Sequence, residues 1–313
     1  MGAILVLSLV ATTGILYSLG SVLTDARTSP INRRYTLVAE DTRIQIDPWT
    51  YWNAWTFNGT VPGPTLRANL GDMLYVTLVN KQPGVHSLHF HQSGYEQRYD
   101  GTMLGAWEGM VTTGFNFTYV IKAERAGLFF YHCHSDYVNP VSVHIHQGLY
   151  GTLIVDDPRR PLPPAAKEYV LVLSETLTPD NLAVLTTDHP TKYVSLLTSD
   201  PSTHHIVNGA SYPLTPTLTA RTGETVRIYL VNLGEFQHSW HLHNHGIYVY
   251  KQMDYGRGLR WVQEAVPGDV LSLDPGGVAI AEVEAGIPGT WMYHSHTVTQ
   301  AEMGMMGLFT VTR

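Results

Sequence analysis

The chain has 313 residues, 44% hydrophobic and only 14% charged, which excludes a disordered polymer and leaves room for two domains with full cores. A net charge of −7 supplies no basic surface and argues against nucleic acid as a partner. The single cysteine, Cys133, rules out an internal disulfide, so this thiol serves either packing or chemistry.

Residues 3–23 carry no charge and are long enough to cross a bilayer, for which roughly 20 apolar residues are needed. The basic start and the cleavage site of a typical signal peptide are missing, so residues 1–24 read as a signal peptide or a retained membrane anchor. Either reading predicts an extracytoplasmic location for the rest. Residues 25–157 then read as a first β domain, with short β-branched runs such as MLYVTLVN at 73–80 bounded by turn residues. A Pro-rich run, DDPRRPLPPAA at 156–166, has linker composition, and the linker is placed at 158–167. Residues 168–313 read as a second β domain, and no long stretch of the body keeps a helical period.

The two halves repeat each other. Asn58-Gly59, Pro64-Thr65-Leu66 and Gly71-Asp72 recur as Asn208-Gly209, Pro216-Thr217-Leu218 and Gly223-Glu224. HSLHFH at 86–91 recurs as HSWHLH at 238–243, YHCH at 131–134 as YHSH at 293–296, and HIHQGLYG at 144–151 as QAEMGMMG at 300–307. A duplicated all-β domain of this size predicts two similar Greek-key sandwiches or barrels.

The repeated blocks hold most of the 16 histidines, including His-x-His pairs at 89/91, 132/134, 144/146, 241/243, 243/245 and 294/296. Scattered core histidines do not produce such pairs, and imidazole is the commonest metal ligand. On a strand, residues i and i+2 share a face while i+1 points the other way. His132 and His134 therefore face one side and Cys133 the other, so one strand joins two metal sites. His86 lies an odd three residues from His89 and can turn to the cysteine side. Cys133, His86 and His144 then make the His₂Cys set of an electron-transfer copper.

These motifs, HxxHxH at 86–91, HCH at 132–134 and HxxxGL at 144–149, resemble those of the multicopper oxidases. The likeness runs from FNGTVPGPTLRANLGD at 57–72 to HSHTVTQAEMGMMG at 294–307, and is to two-domain members related to copper nitrite reductases. It implies cupredoxin-like domains and four coppers per chain. A type 1 copper falls on His86, Cys133 and His144, with the non-coordinating Leu149 in the axial position. A type 2 copper falls on His89 and His241, and a type 3 pair on His91, His132, His134, His243, His294 and His296. Ser295 and Gln300 replace two type 1 ligands in the second domain. The resemblance further implies a homotrimer with histidine clusters between subunits.

The implied activity is oxidation of a small reducing substrate, or of an electron-donor protein, coupled to reduction of O₂ to water. Asp100 is the candidate acid, and Asp136 and Glu96 are weaker ones. A copper nitrite reductase is the alternative, although that family keeps an aspartate at the position of His89. A non-enzymatic copper or electron carrier is a further alternative, but it has no use for eight additional histidines. His146 reads as a surface residue or one that supports a ligand. His238 reads as a relic or interface residue, and His245 has no assigned role. Met103, Met110, Met303, Met305 and Met306 read as packing rather than a metal-ion path.

Overall fold

A computed structural model describes residues 29–104, 107–137, 139–176, 203–254 and 259–313. The apolar stretch at 3–23 lies outside the described residues. Among them, no helix is long and apolar enough to cross a membrane.

Strands dominate both halves, as the alternating runs require. Met73–Asn80 alternates half-buried and buried residues along its whole length, the pattern of a strand with one face on a core. In the first half, one sheet orders the strands Tyr51–Phe57, Asn32–Gln45, Met73–Asn80 and Asn116–Lys122. The facing sheet orders Leu66–Asn69, Tyr150–Asp156, Gly127–His132 and His89–Phe90. Leu37, Leu74, Val76, Phe90, Tyr119, Cys133 and Leu153 fill the space between them.

The second half repeats this plan on sheets of six and five strands. Asn32–Gln45 pairs in parallel with Met73–Asn80, bringing Ala39 opposite Asn80. Lys167–Thr176 pairs in parallel with Thr225–Asn232, bringing Leu173 opposite Asn232. The Asn-Gly turns correspond as well. Asn58 (φ 59°) and Asn208 (φ 52°) are left-handed, and their side-chain oxygens accept the N–H groups of Val38 and Val172. Asparagine tolerates that conformation at little cost, which explains its presence in both halves. The chain is thus two cupredoxin-like β-sandwiches. A third apolar cluster, including Trp52, Tyr150, Val172, Tyr229 and Ile280, joins them.

His144 and His146 sit on a short α-helix, Val141–His146, and not on a strand, so strand parity does not apply to them. Pro140 stands at its N-cap, and Gly148 (φ 108°) lets the chain leave it. The second half has the corresponding helix, Val298–Glu302, which carries Gln300 and is followed by Gly304 (φ 112°).

Candidate metal centres

Just beyond the strand Gly127–His132, the Cys133 N–H donates to the Leu149 carbonyl at 2.9 Å. This turns the Cys133 side chain into the first core, fully buried, while His132, itself buried, and His134, half-buried, face the opposite side. Its sulfur lies 3.2 Å from His144 Nδ1 and 3.7 Å from His86 Nδ1, and it accepts the Ser87 N–H at 3.3 Å. The ring of Trp55 stands edge-on to both imidazoles, with centroids 5.7 Å from His86 and 5.3 Å from His144. Burial pushes the Cys133 thiol up to about 11 and the imidazoles of His86 and His144 down to about 4 and about 3. Both histidines are thereby neutral ligands, and the thiol needs a bound cation in order to ionise. One soft sulfur and two imidazole nitrogens in a dry pocket fit copper. Leu149, wholly buried beside them, adds no donor atom.

On the other side of the same strand, His89, His91, His132 and His134 gather their rings with centroids 5.0–5.5 Å apart. His132 donates its Nδ1–H to the Cys133 carbonyl at 3.0 Å, and His89 donates its own to the Asp100 carbonyl at 2.8 Å. Each is left with a bare Nε2. The Nε2 atoms of His91 and His132 stand 3.1 Å apart.

The second half builds a matching group from His241, His243, His294 and His296, with centroids 5.1–5.8 Å apart. His294 donates Nδ1–H to the Ser295 carbonyl at 2.7 Å, and its Nε2 faces His243 Nε2 at 3.1 Å. Nitrogens of His241, His243 and His294 converge within 4.8 Å of one another. Lone pairs brought this close favour a cation between them, so both groups fit metal ions held through Nε2. Among the described residues, no ring of one group packs against a ring of the other. Each group therefore has an open side, and His91 and His296 are exposed.

Asp100 lies beside the first group. Its Oδ1 is 3.4 Å from His89 Nδ1 and accepts the Tyr95 hydroxyl at 3.1 Å, while Oδ2 accepts the Thr102 hydroxyl at 2.7 Å. Asp136 and Glu96 are exposed. Sequence reasoning missed Asp269, whose carbonyl accepts His241 Nδ1–H at 2.7 Å just as that of Asp100 serves His89. No shared motif marks the pair, since Asp100 precedes its glycine and Asp269 follows one.

The other histidines have definite places. His146 is buried rather than on the surface, with Nδ1 at 2.7 Å from the Glu175 carbonyl and Nε2 at 3.3 Å from Glu235. His238 lies fully buried between Gln300 and Glu175. His245 packs on Trp291 and Phe309 and donates Nδ1–H to the His243 carbonyl at 2.8 Å.

Comparison with known proteins agrees with this geometry. The multicopper oxidase family models match residues 39–160 and 185–313. A copper-containing nitrite reductase of Neisseria gonorrhoeae is 28% identical over 280 residues, covering 88% of this chain and 67% of that protein. A crystal structure of a multicopper oxidase superposes with a TM-score of 0.74 at 32% identity, covering 90% of this chain and 89% of that one. The blue copper oxidase of Nitrosomonas europaea gives 0.72 at 27% identity, covering 90% and 86%. With its paired β-sandwiches, its buried His₂Cys pocket and its repeated imidazole groups, the chain belongs to the multicopper oxidase family and is a copper oxidoreductase.

Proposed function

We propose that this protein is a laccase-like oxidase that takes electrons singly from a reducing substrate and uses them to reduce O₂ to water. His86, Cys133 and His144 would hold a type 1 copper. His89 and His241 would hold a type 2 copper, and His91, His132, His134, His243, His294 and His296 a type 3 pair. When bound, the coppers supply one-electron exchange at the cysteine and four-electron reduction at the histidine groups.

The residues around them have separate tasks. Cys133 is bonded through the backbone to His132 and His134, giving a continuous covalent path between the two kinds of site. Leu149 and Trp55 keep water from the sulfur. The carbonyls of Asp100 and Asp269 fix the tautomers of His89 and His241, leaving Nε2 as the donor. The Asp100 carboxyl, steadied by Tyr95 and Thr102, is the nearest acid that can pass protons to reduced oxygen. Two open half-groups per chain are complementary when subunits meet head to tail, which is the arrangement of a closed homotrimer.

The observation that carries this reading is the second set of imidazoles. Eight histidines in two matching groups exceed what nitrite reduction at a single copper uses. The similarity to a nitrite reductase sustains that activity as the second reading, but here His89 stands where the resemblance calls for a catalytic aspartate. Copper analysis with parallel O₂ and nitrite assays decides between them. About four coppers per chain, the near-ultraviolet band of a coupled pair and O₂ uptake are expected. About two coppers per chain with nitrite turnover would overturn the reading.

A further inference from the structure

The second domain retains the frame of a cysteine-type copper pocket with other chemistry inside it. Ser295 N–H donates to the Met305 carbonyl at 3.0 Å, and Met305 N–H to the Gln300 carbonyl at 2.9 Å. Cys133, Leu149 and His144 make the same pair of bonds in the first domain at 2.9 and 3.0 Å. His238, Ser295, Gln300 and Met305 thus correspond to His86, Cys133, His144 and Leu149. Between Ser295 and His238 lies the Gln300 side-chain oxygen, which accepts the Ser295 hydroxyl at 2.7 Å and His238 Nδ1–H at 3.0 Å. The Gln300 amide nitrogen donates to the Gln237 carbonyl at 3.3 Å, which fixes the amide's orientation. His238 therefore carries its proton on Nδ1.

Its other nitrogen, Nε2, is 2.9 Å from Glu175 Oε1, and both side chains are 0% exposed. Among the described residues neither atom has another hydrogen-bond partner, and bare lone pairs facing each other at that distance would repel, so a proton has to lie between them. Of the remaining described neighbours, His205 is the one other imidazole within ion-pair reach of the same oxygen, and it lies farther off than His238. Glu175 Oε2 accepts the Glu235 N–H at 3.0 Å, His205 Nδ1 lies 3.5 Å from Oε1, and His146 meets the backbone carbonyl of Glu175 and the Glu235 carboxylate. Burial would raise the Glu175 carboxyl, but His205 and His238 outweigh it and hold the carboxyl well below the usual carboxylate range.

The first domain shows what changed. Asn80 and Asn232 are equivalent, since each accepts the N–H two residues on, of Gln82 at 2.9 Å and of Gly234 at 2.8 Å. By the same register Asp41 corresponds to Glu175. In the first domain the Gln82 side chain binds the Asp41 carboxylate at 2.8 Å. In the second, glycine removes that side chain and glutamate lengthens the acid. A Cβ on Gly234 would come within 2.2 Å of Glu175 Oε2, so the glycine is what admits the carboxylate. Two matched differences bring an acid onto the histidine of the pocket that has no cysteine.

We propose that this pocket holds a proton where its twin holds a metal: His238 is a buried imidazolium, clamped between Gln300 and Glu175. The Glu175–His238 pair positions the start of the strand His238–Leu242, which presents His241, and Glu175 also ties that strand to the helix Val141–His146 of the first domain. This holds whichever substrate the copper centres serve.

The test is nitrogen NMR of histidine-labelled, copper-loaded and chemically reduced protein, with His238 assigned by loss of its signals in His238→Asn. Two protonated ring nitrogens at neutral pH are expected. In Glu175→Gln and in the paired variant Glu175→Asp/Gly234→Gln, which installs the first domain's arrangement, only Nδ1 should stay protonated at neutral pH. A bare Nε2 in the wild-type protein would overturn the proposal, and the wild-type spectrum decides this even if the variants fail to fold. So would one additional metal ion per chain that Glu175→Gln abolishes.

Discussion

His243 and His294 hold their Nε2 atoms 3.1 Å apart, with the His294 proton committed to the Ser295 carbonyl on the far side of its ring. His91 and His132 repeat this relationship at the same distance, with the His132 proton committed to the Cys133 carbonyl. On the proposed reading, each pair is half of a metal clasp. Replacing His294 by Ala should lower the copper content and abolish O₂ uptake, yet leave the blue absorbance of the cysteine centre intact. Copper analysis, a visible spectrum and an oxygen electrode check this, and persistent O₂ uptake would remove His294 from the cluster.

Leu149 is buried against the cysteine pocket and offers no donor, whereas Met305, in the equivalent backbone position of the second domain, is a buried thioether. Leu149→Met nearly conserves volume and should cost less than about 1.5 kcal/mol. A thioether beside copper stabilises the oxidised ion relative to leucine. The reduction potential of the blue centre should therefore fall, with a changed visible spectrum, in a redox titration. An unchanged potential would mean that residue 149 does not face the metal.

Asp100 combines two roles that one substitution separates. Its backbone carbonyl orients His89, and Asp100→Asn keeps it; the side-chain carboxyl, bonded to Tyr95 and Thr102, is lost. Copper content should be unchanged while the O₂ reduction rate drops about 100-fold or more, the usual loss when a proton donor is removed. Loss of copper instead would make Asp100 a structural residue.

Much of this site was legible in the sequence because strand geometry is simple. The spacing of His132, Cys133 and His134 implies two sites on opposite faces, and the side chains lie so. The repeat aligned His89 with His241 without any coordinates. Helical residues were not legible in this way, since His144 and His146 form a His-x-His pair that mimics a strand pair but sits on a single helical turn after Pro140. Backbone carbonyls leave no trace in side-chain motifs, and so Asp269 was missed. Glu175 and Gly234 were invisible for another reason: Glu175 lies in a strand far along the sequence from His238, Gly234 reads as an ordinary loop glycine before it, and only the parallel pairing of the two strands shows that this glycine makes room for that acid.

Acid stability should depend in part on Asp72, which is buried and accepts the N–H groups of Ile31 and Asn69 at 2.8 Å each, as well as Arg33. Burial alone would raise its carboxyl, but these donors outweigh it and hold the carboxyl below 3.8. A folded-state value below the unfolded one, about 3.9, gives stability that is present above that pH and lost as pH falls through the folded value. Asp72→Asn should lower the melting temperature at neutral pH, by about 1–3 kcal/mol of stability. It should also flatten the fall in melting temperature below about pH 4. Equal acid sensitivity in both proteins would show that other carboxylates dominate.

The copperless pocket gives the strictest test of the domain duplication. Its backbone matches that of the cysteine pocket, His238 already turns Nδ1 to Gln300, and Met305 holds the backbone position of Leu149. Only Ser295 and Gln300 stand between it and a full donor set, and Gln300 lies on a helix that corresponds to the one carrying His144. The double variant Ser295→Cys/Gln300→His should therefore bind about one more copper per chain and add a second blue band. On binding, His238 releases the Nδ1 proton to solvent and keeps Nε2–H directed at Glu175, so the acid beside it then supports a metal ligand in the usual way. Because Met305 supplies the thioether that Leu149 lacks, the new centre should have the lower reduction potential of the two. Copper analysis and a spectroelectrochemical titration read both quantities. A folded double variant with no added copper would show that the two pockets differ in more than these two side chains.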